Sequence, residues 1–246
     1  LLRLGFRNGE QAAETVRGWH FGRRPAVTSA RAREVLTELT PALLVALGRT
    51  ASPDAALAAL DRAFERMPAA VELLTLLKSN EAFLTLFAEM LGSAPRLADV
   101  LSTHPHVLDG VIDPGFANPS LSTNEIAVRM RAAIGAEPEC AEEFLDRLRD
   151  AVRPETFLVG ARLLSSILSP AQAGAAYAAV AEAAVQVSLA EVRRFFALEH
   201  GVVEGAEIAI LAMGRLGSRD LTANSDLDLI FIYDRPDDAP PSNGRR

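Results

Sequence analysis

Cysteine is nearly absent from this sequence: of 246 residues only Cys140 is one, so no internal disulfide forms and no zinc cluster is built through thiolates. A reducing, cytoplasmic setting is the expectation that follows. Aromatics are scarce too, with one tryptophan and two tyrosines against a hydrophobic fraction of 49%. That balance, dominated by alanine and leucine, suits helices packed through aliphatic side chains rather than a β-rich fold. Positive charge is short as well. A formal net charge of −7 argues against non-specific nucleic-acid binding, which rewards basic surfaces. No apolar run reaches the ~20 residues that cross a bilayer, and no charged-then-apolar leader opens the chain, so neither nucleic acid nor membrane is an expected partner. The initiator methionine is missing, and a start on Leu1, Leu2 and Phe6 reads as a cut N-terminus.

What is present is helix punctuation. Asn8 caps a short helix ending near Gly18, and Thr28 or Ser29 caps one that runs to about Gly48 and bends at Pro41. Ser52 and Pro53 start the next, which Pro68 stops. Val71 to Leu77 mark another, Ser79 and Asn80 cap the one after it, and Gly92 ends that. Shorter helices surround residues 97–101 and 107–112, with a turn at His104 and His106 between them. The stretch 113–124 is dense in proline, glycine, asparagine and serine and reads as the main internal boundary. Beyond it Thr123 caps a helix to about Ile134, residues 140–152 and 155–168 form two more, and Ser169 with Pro170 opens the longest periodic run, 171–200. The expected regions are a helical connector over 1–115, a helical bundle over 116–204 and the start of a catalytic core over 205–246.

Residues 206–234 carry the chemistry. An apolar run over 208–213 leads through Gly214 and Gly217 to a second, 227–233, rich in leucine, isoleucine and aromatics and suited to a buried strand. Asp226 and Asp228 sit at its start, and aspartate is expensive to bury unpaired. Alternation along a strand puts both on one face with β-carbons ~7 Å apart, near enough for a divalent metal bound to phosphate oxygens. Gly217 lets backbone amides approach a triphosphate, Ser218 donates a hydroxyl hydrogen bond, and a helical turn after them adds N-terminal amides. This pattern fits a nucleotidyltransferase core using metal-assisted phosphoryl chemistry, with a solvated hairpin as the plain alternative. The expected fold is mostly α: a multi-helix bundle followed by the first two strands of an α/β nucleotidyltransferase-type core, truncated. Trp19, His20, His104 and His106 read as packing or turn residues, Cys140 as an inert thiol in an amphipathic helix, and the arginines over 23–33 as a solvated connector.

The longer string GRLGSRDLTANSDLDLIFIYD resembles the signature of the glutamine synthetase adenylyltransferase and adenylyl-removing family, G-K-L-G-G-[RK]-[ED]-[LM] followed by S-D-[IL]-D-L. Gly214, Leu216, Gly217, Ser225, Asp226, Asp228 and Leu229 are kept, while Arg215 replaces the lysine and Ser218 the second glycine. The helical segments resemble the region that joins the family's two catalytic halves. The resemblance implies that the motif opens the second half, which transfers AMP from ATP to a tyrosine hydroxyl of glutamine synthetase, the first half removing it by phosphorolysis. It implies Mg2+ at Asp226 and Asp228, ATP against Gly214, Gly217, Ser218 and Ser225, and glutamine synthetase and a PII signal protein as partners. Family cores add a third carboxylate on a later strand, for which Asp234, Asp237 and Asp238 are poor substitutes. The expectation is a chain truncated at both ends, with half a metal site and negligible transfer activity alone. A non-catalytic helical interaction module and a PII uridylyltransferase are the alternatives.

Overall fold

Helices in this protein begin where a side chain can satisfy a free backbone N–H. A computed structural model describes residues 1–119, 122–237 and 241–244, which divide into two units, Leu1–Asp113 and Pro114–Arg246. In the first, α1 (Gly9–His20) is capped by Asn8, whose Oδ1 accepts from the Gln11 N–H at 3.1 Å. The α2 helix (Ala30–Gly48) is capped by Ser29, and α3 (Pro53–Arg66) starts on its proline. Next come α4 (Val71–Ser79) and α5 (Glu81–Ser93), the latter capped by Asn80. The unit closes with α6 (Pro95–Thr103) and the single turn α7 (Asp109–Ile112). The core forms where α2 packs on α4 and α5 and α3 packs on α5 and α6, burying Leu36, Leu39, Leu43 and Leu47 of α2 and Leu60 and Phe64 of α3.

Two expectations change here. Gly92 does not end its helix; α5 runs through it to Ser93, and the residue is glycine because an added Cβ would sit 2.3 Å from the Thr50 hydroxyl oxygen. Nor is Arg24 a freely solvated arginine: it is half-buried and paired. Its Nε donates to Asp61 Oδ1 at 2.7 Å and its Nη2 to the other carboxylate oxygen, while the Trp19 indole N–H donates to the same Oδ1 at 2.8 Å. Trp19 is fully buried, its ring edge-on to Phe64 with centroids 5.2 Å apart. Burial pushes the Asp61 carboxyl up, but the Arg24 guanidinium and the Trp19 N–H outweigh it and hold the group below the usual carboxylate range.

The second unit is a three-helix bundle with a hairpin. Its helices are α8 (Thr123–Ile134), α9 (Ala141–Leu164) and α10 (Pro170–His200), packed through Ile126, Met130, Phe144, Leu148, Ala176 and Ala183. α10 opens with a reciprocal cap in which the Gln172 N–H donates to Ser169 Oγ and the Ser169 N–H donates to Gln172 Oε1 at 2.9 Å. By length and composition α10 is apolar enough to cross a membrane, with mean hydropathy 1.3 over its most apolar stretch. On its inner face Ala173, Ala176, Ala179 and Ala183 are buried against α8 and α9.

The two helices expected over 140–168 are one. Proline at 154 has no N–H to donate to the carbonyl of Asp150, and Asp150 lies on the exposed side of the helix, its side chain paired with Arg153. Phe157, Val159 and Ala161 keep the continuation packed. Cys140 lies outside the helix, as the exposed residue before its first turn. Thr123 is the first helical residue rather than the cap, and its hydroxyl donates to Glu182 on α10 at 2.8 Å. Ser120 and Leu121 of the 113–124 stretch, and Asp238 of the tail, lie outside the described residues.

Candidate functional site

The hairpin pairs β1 (Glu207–Ala212) antiparallel with β2 (Leu229–Asp234), in register from Glu207 opposite Asp234 to Ala212 opposite Leu229. Opposed residues share a face. One face carries Ile210 with Phe231 and Ala212 with Leu229; at its Ala212 end it meets Ala178 of α10 together with Leu216 and Leu221. The other face, with Leu211, Ile230 and Ile232, is exposed. The second apolar run is therefore not a buried strand: only Leu229 is partly covered, because the helices of this unit reach one end of one face.

Between the strands the backbone turns sharply. Gly214 takes a left-handed conformation at φ +52 and begins the helical turn α11 (Gly214–Gly217). The Gly217 N–H bonds the Met213 carbonyl at 3.0 Å, and the Ser218 N–H bonds that of Gly214 at 3.1 Å. The helical turn thus precedes Ser218, where the sequence had suggested one after it. Gly217 is needed for packing, since a Cβ there would lie 2.6 Å from the Ala212 carbonyl oxygen. The loop then reaches Thr222, whose N–H donates to Ser225 Oγ at 2.9 Å, and returns to β2.

Asp226 and Asp228 precede β2 rather than riding on it, and both are exposed. The reason is the ladder: its last backbone bond runs from the Met213 N–H to the Asp228 carbonyl at 2.8 Å, at the mouth of the hairpin. This contact also sets the Asp228 side chain against the turn, for a Cβ on Gly214 would come 2.6 Å from Asp228 Oδ2. Gly214 and Asp228 are thus brought together. Ser218 lies at the end of α11 with its hydroxyl 3.4 Å from the Arg215 carbonyl, a weak bond, and Ser225 is engaged with Thr222. The Asp226 carboxylate makes no hydrogen bond or ion pair among the described residues. Asp234 ends β2 at the opposite end of the hairpin, and Asp237 is exposed beyond it.

Three residues outside the expected set hold the loop to the bundle. Arg219, itself left-handed at φ +56, donates from Nη1 to Glu182 at 3.1 Å, and Gly174 of α10 leaves room for Asp220. Glu182 is the lone acidic residue between Pro170 and Glu191, and a single charge in an alanine-rich helix is the signal that could have found it. Among the described residues no three metal-ligating side chains come together. Two exposed carboxylates are hard oxygen donors, and Mg2+ is characteristically held by one or two of these together with substrate phosphates. The donors at Asp226 and Asp228 fit that mode and not a closed protein cage.

Residues 84–246 match the family model described as glutamate-ammonia ligase adenylyltransferase. The bifunctional glutamine synthetase adenylyltransferase/adenylyl-removing enzyme of Mesorhizobium japonicum is 43% identical over 244 residues, covering 99% of this chain and 25% of that protein. The proteins of the same name from Brucella suis and a Bradyrhizobium species are 42% and 41% identical over 246 residues, again covering 25% of their length. The chain spans a quarter of the length of these curated relatives.

Proposed function

The chain belongs to the glutamate-ammonia ligase adenylyltransferase family, and from that membership we propose that residues 206–234 form part of a site that binds ATP and passes its AMP to a tyrosine hydroxyl of glutamine synthetase. The tyrosine oxygen would bond to the α-phosphorus as the α–β anhydride bond breaks, releasing pyrophosphate, with the hydroxyl proton leaving to solvent or a base. The observation that carries the reading is the placement of the Asp228 carboxylate directly against the glycine turn at Gly214, where a triphosphate would approach the backbone.

In this reading Gly214 keeps the space the carboxylate occupies, and Asp226 and Asp228 hold Mg2+. Bound there, the ion would neutralise phosphate charge. The Ser218 hydroxyl, only weakly engaged with the Arg215 carbonyl, is released to a phosphate oxygen, while Gly217 keeps α11 seated on the end of β1. Glutamine synthetase is the proposed macromolecular substrate, and a PII signal protein a proposed regulator. Because no group of three metal-ligating side chains forms among the described residues, the 246-residue chain by itself is expected to bind ATP without transferring AMP.

Calorimetric titration of ATP into the chain, with and without Mg2+, tests this. Metal-dependent binding is expected, weakened at least about tenfold, or about 1.4 kcal/mol, in the Asp226→Asn, Asp228→Asn double variant. Affinity unchanged in that variant, or no metal-dependent binding by the parent chain, would overturn the reading.

A further inference from the structure

Among the described residues the loop that carries Asp226 and Asp228 is fastened to the helical bundle at one polar point, Arg219 on Glu182, and that point lies outside the family motif's acidic pair. Arg219 is a non-glycine residue at φ +56. For an L-residue this backbone state is disfavoured by contact between Cβ and the carbonyl, and it persists where neighbouring contacts hold it. Two kinds of contact hold it here. Leu216 and Leu221, on either side of Arg219, are buried against Ala178 of α10. One helical turn further along α10, Glu182 accepts from Arg219 Nη1 through both oxygens, at 3.1 and 3.3 Å. Glu182 is itself braced, since the Thr123 hydroxyl at the start of α8 donates to its Oε2 at 2.8 Å. The backbone comes close as well: Asp220 Cα lies 3.3 Å from where a Cβ on Gly174 would be.

We propose that Glu182 is a positioning residue: braced by Thr123, it holds Arg219 in its left-handed state and so aims the loop 218–228 that presents Asp226 and Asp228. The proposal rests on the ATP reading only for its functional consequence, which is tighter MgATP binding when the loop is held. An exposed ion pair contributes little by itself. This one matters because its two ends belong to the bundle and to the loop, so that losing it frees the loop without unfolding the helices. The pair also gives Arg219 a task different from touching phosphate, and the two tasks separate experimentally.

The experiment uses the 246-residue chain and two readouts, amide hydrogen exchange of peptides covering 214–228 without nucleotide and MgATP affinity by calorimetry. The variants are Glu182→Ala, Arg219→Ala, Arg219→Gly and the exchanged pair Glu182→Arg with Arg219→Glu. Glu182→Ala and Arg219→Ala are expected to speed exchange in 214–228 and weaken MgATP by up to about fivefold, the upper end of the range of an exposed ion pair, with exchange in α9 unchanged. Arg219→Gly, which takes a left-handed conformation freely, is expected to lose less affinity than Arg219→Ala. The exchanged pair is expected to recover both readouts. Unchanged loop exchange in Glu182→Ala overturns the proposal. Equal losses in Arg219→Gly and Arg219→Ala with no recovery in the exchanged pair also overturn it, and make Arg219 a direct ligand. If the parent chain binds no MgATP, the ATP reading fails, and the exchange data still decide whether Glu182 holds the loop.

Discussion

Replacing Gly174 by alanine sets two forces of known size against each other. In a helix interior alanine is favoured over glycine by about 0.8–1.0 kcal/mol, and α10 is otherwise rich in alanine. Gly18, near the end of α1, shows the unopposed case, since a Cβ there would meet only Arg23 Cδ at 3.5 Å, an ordinary contact. Gly18→Ala should therefore stabilise the first unit by up to about 1 kcal/mol. At Gly174 the new Cβ would lie 3.0 Å from Asp220 Oδ1 and 3.3 Å from Asp220 Cα. The carboxylate is the exposed end of a side chain and can swing away; the Cα moves only if the loop moves. Overpacking of this kind costs about 1–3 kcal/mol, so the net change is about 0–2 kcal/mol of destabilisation, concentrated in 218–228. Thermal melts compare the two variants, at about 4 °C per kcal/mol for units of this size, and hydrogen exchange locates the loss. If Gly174→Ala raised stability as Gly18→Ala does and left loop exchange unchanged, the close approach of loop and helix would be refuted.

Asp61→Ala removes the acceptor shared by Arg24 and Trp19 and should cost the first unit about 2–3 kcal/mol in urea denaturation followed by Trp19 emission. The acid behaviour has a definite sign. The folded-state pKa of Asp61 is lowered, so its contribution is full above the ordinary aspartate value of about 4 and is lost as pH falls below that through the folded value. Melts between neutral and acid pH should show a steeper loss in the parent chain than in Asp61→Asn, and parallel curves would refute the assignment. Ser169→Ala breaks the reciprocal cap of α10 and should cost about 1 kcal/mol, read as a lower denaturation midpoint of the second unit.

Helix starts were legible because capping is local. Asn8, Ser29, Pro53, Asn80 and Ser169 act within three or four residues of themselves, and the structure uses each of them. What failed depended on distant partners. Pro154 looked like a break because its cost is local, whereas the packing of Phe157 and Val159 that carries the helix through is not. Arg24 looked solvated because Asp61 is 37 positions away. At the candidate site the residue types were readable, and the glycines do sit where backbone or carboxylate approaches. The placement of Asp226 and Asp228 ahead of β2 was not readable, since it follows from where the ladder closes, at Met213 and Asp228. Glu182 was missed because its partner Arg219 lies 37 positions along the chain.

The distribution of aromatic side chains gives the protein two separate optical reporters. Its only tryptophan is Trp19, sealed in the first unit beside Phe64 with its N–H on Asp61. Both tyrosines, Tyr177 on α10 and Tyr233 on β2, belong to the second. Indole emission therefore follows the first unit alone, and phenol signals follow the bundle and the hairpin of the second. One denaturation series recorded in both channels tells, without any label, whether the first and second units melt in one step or in two.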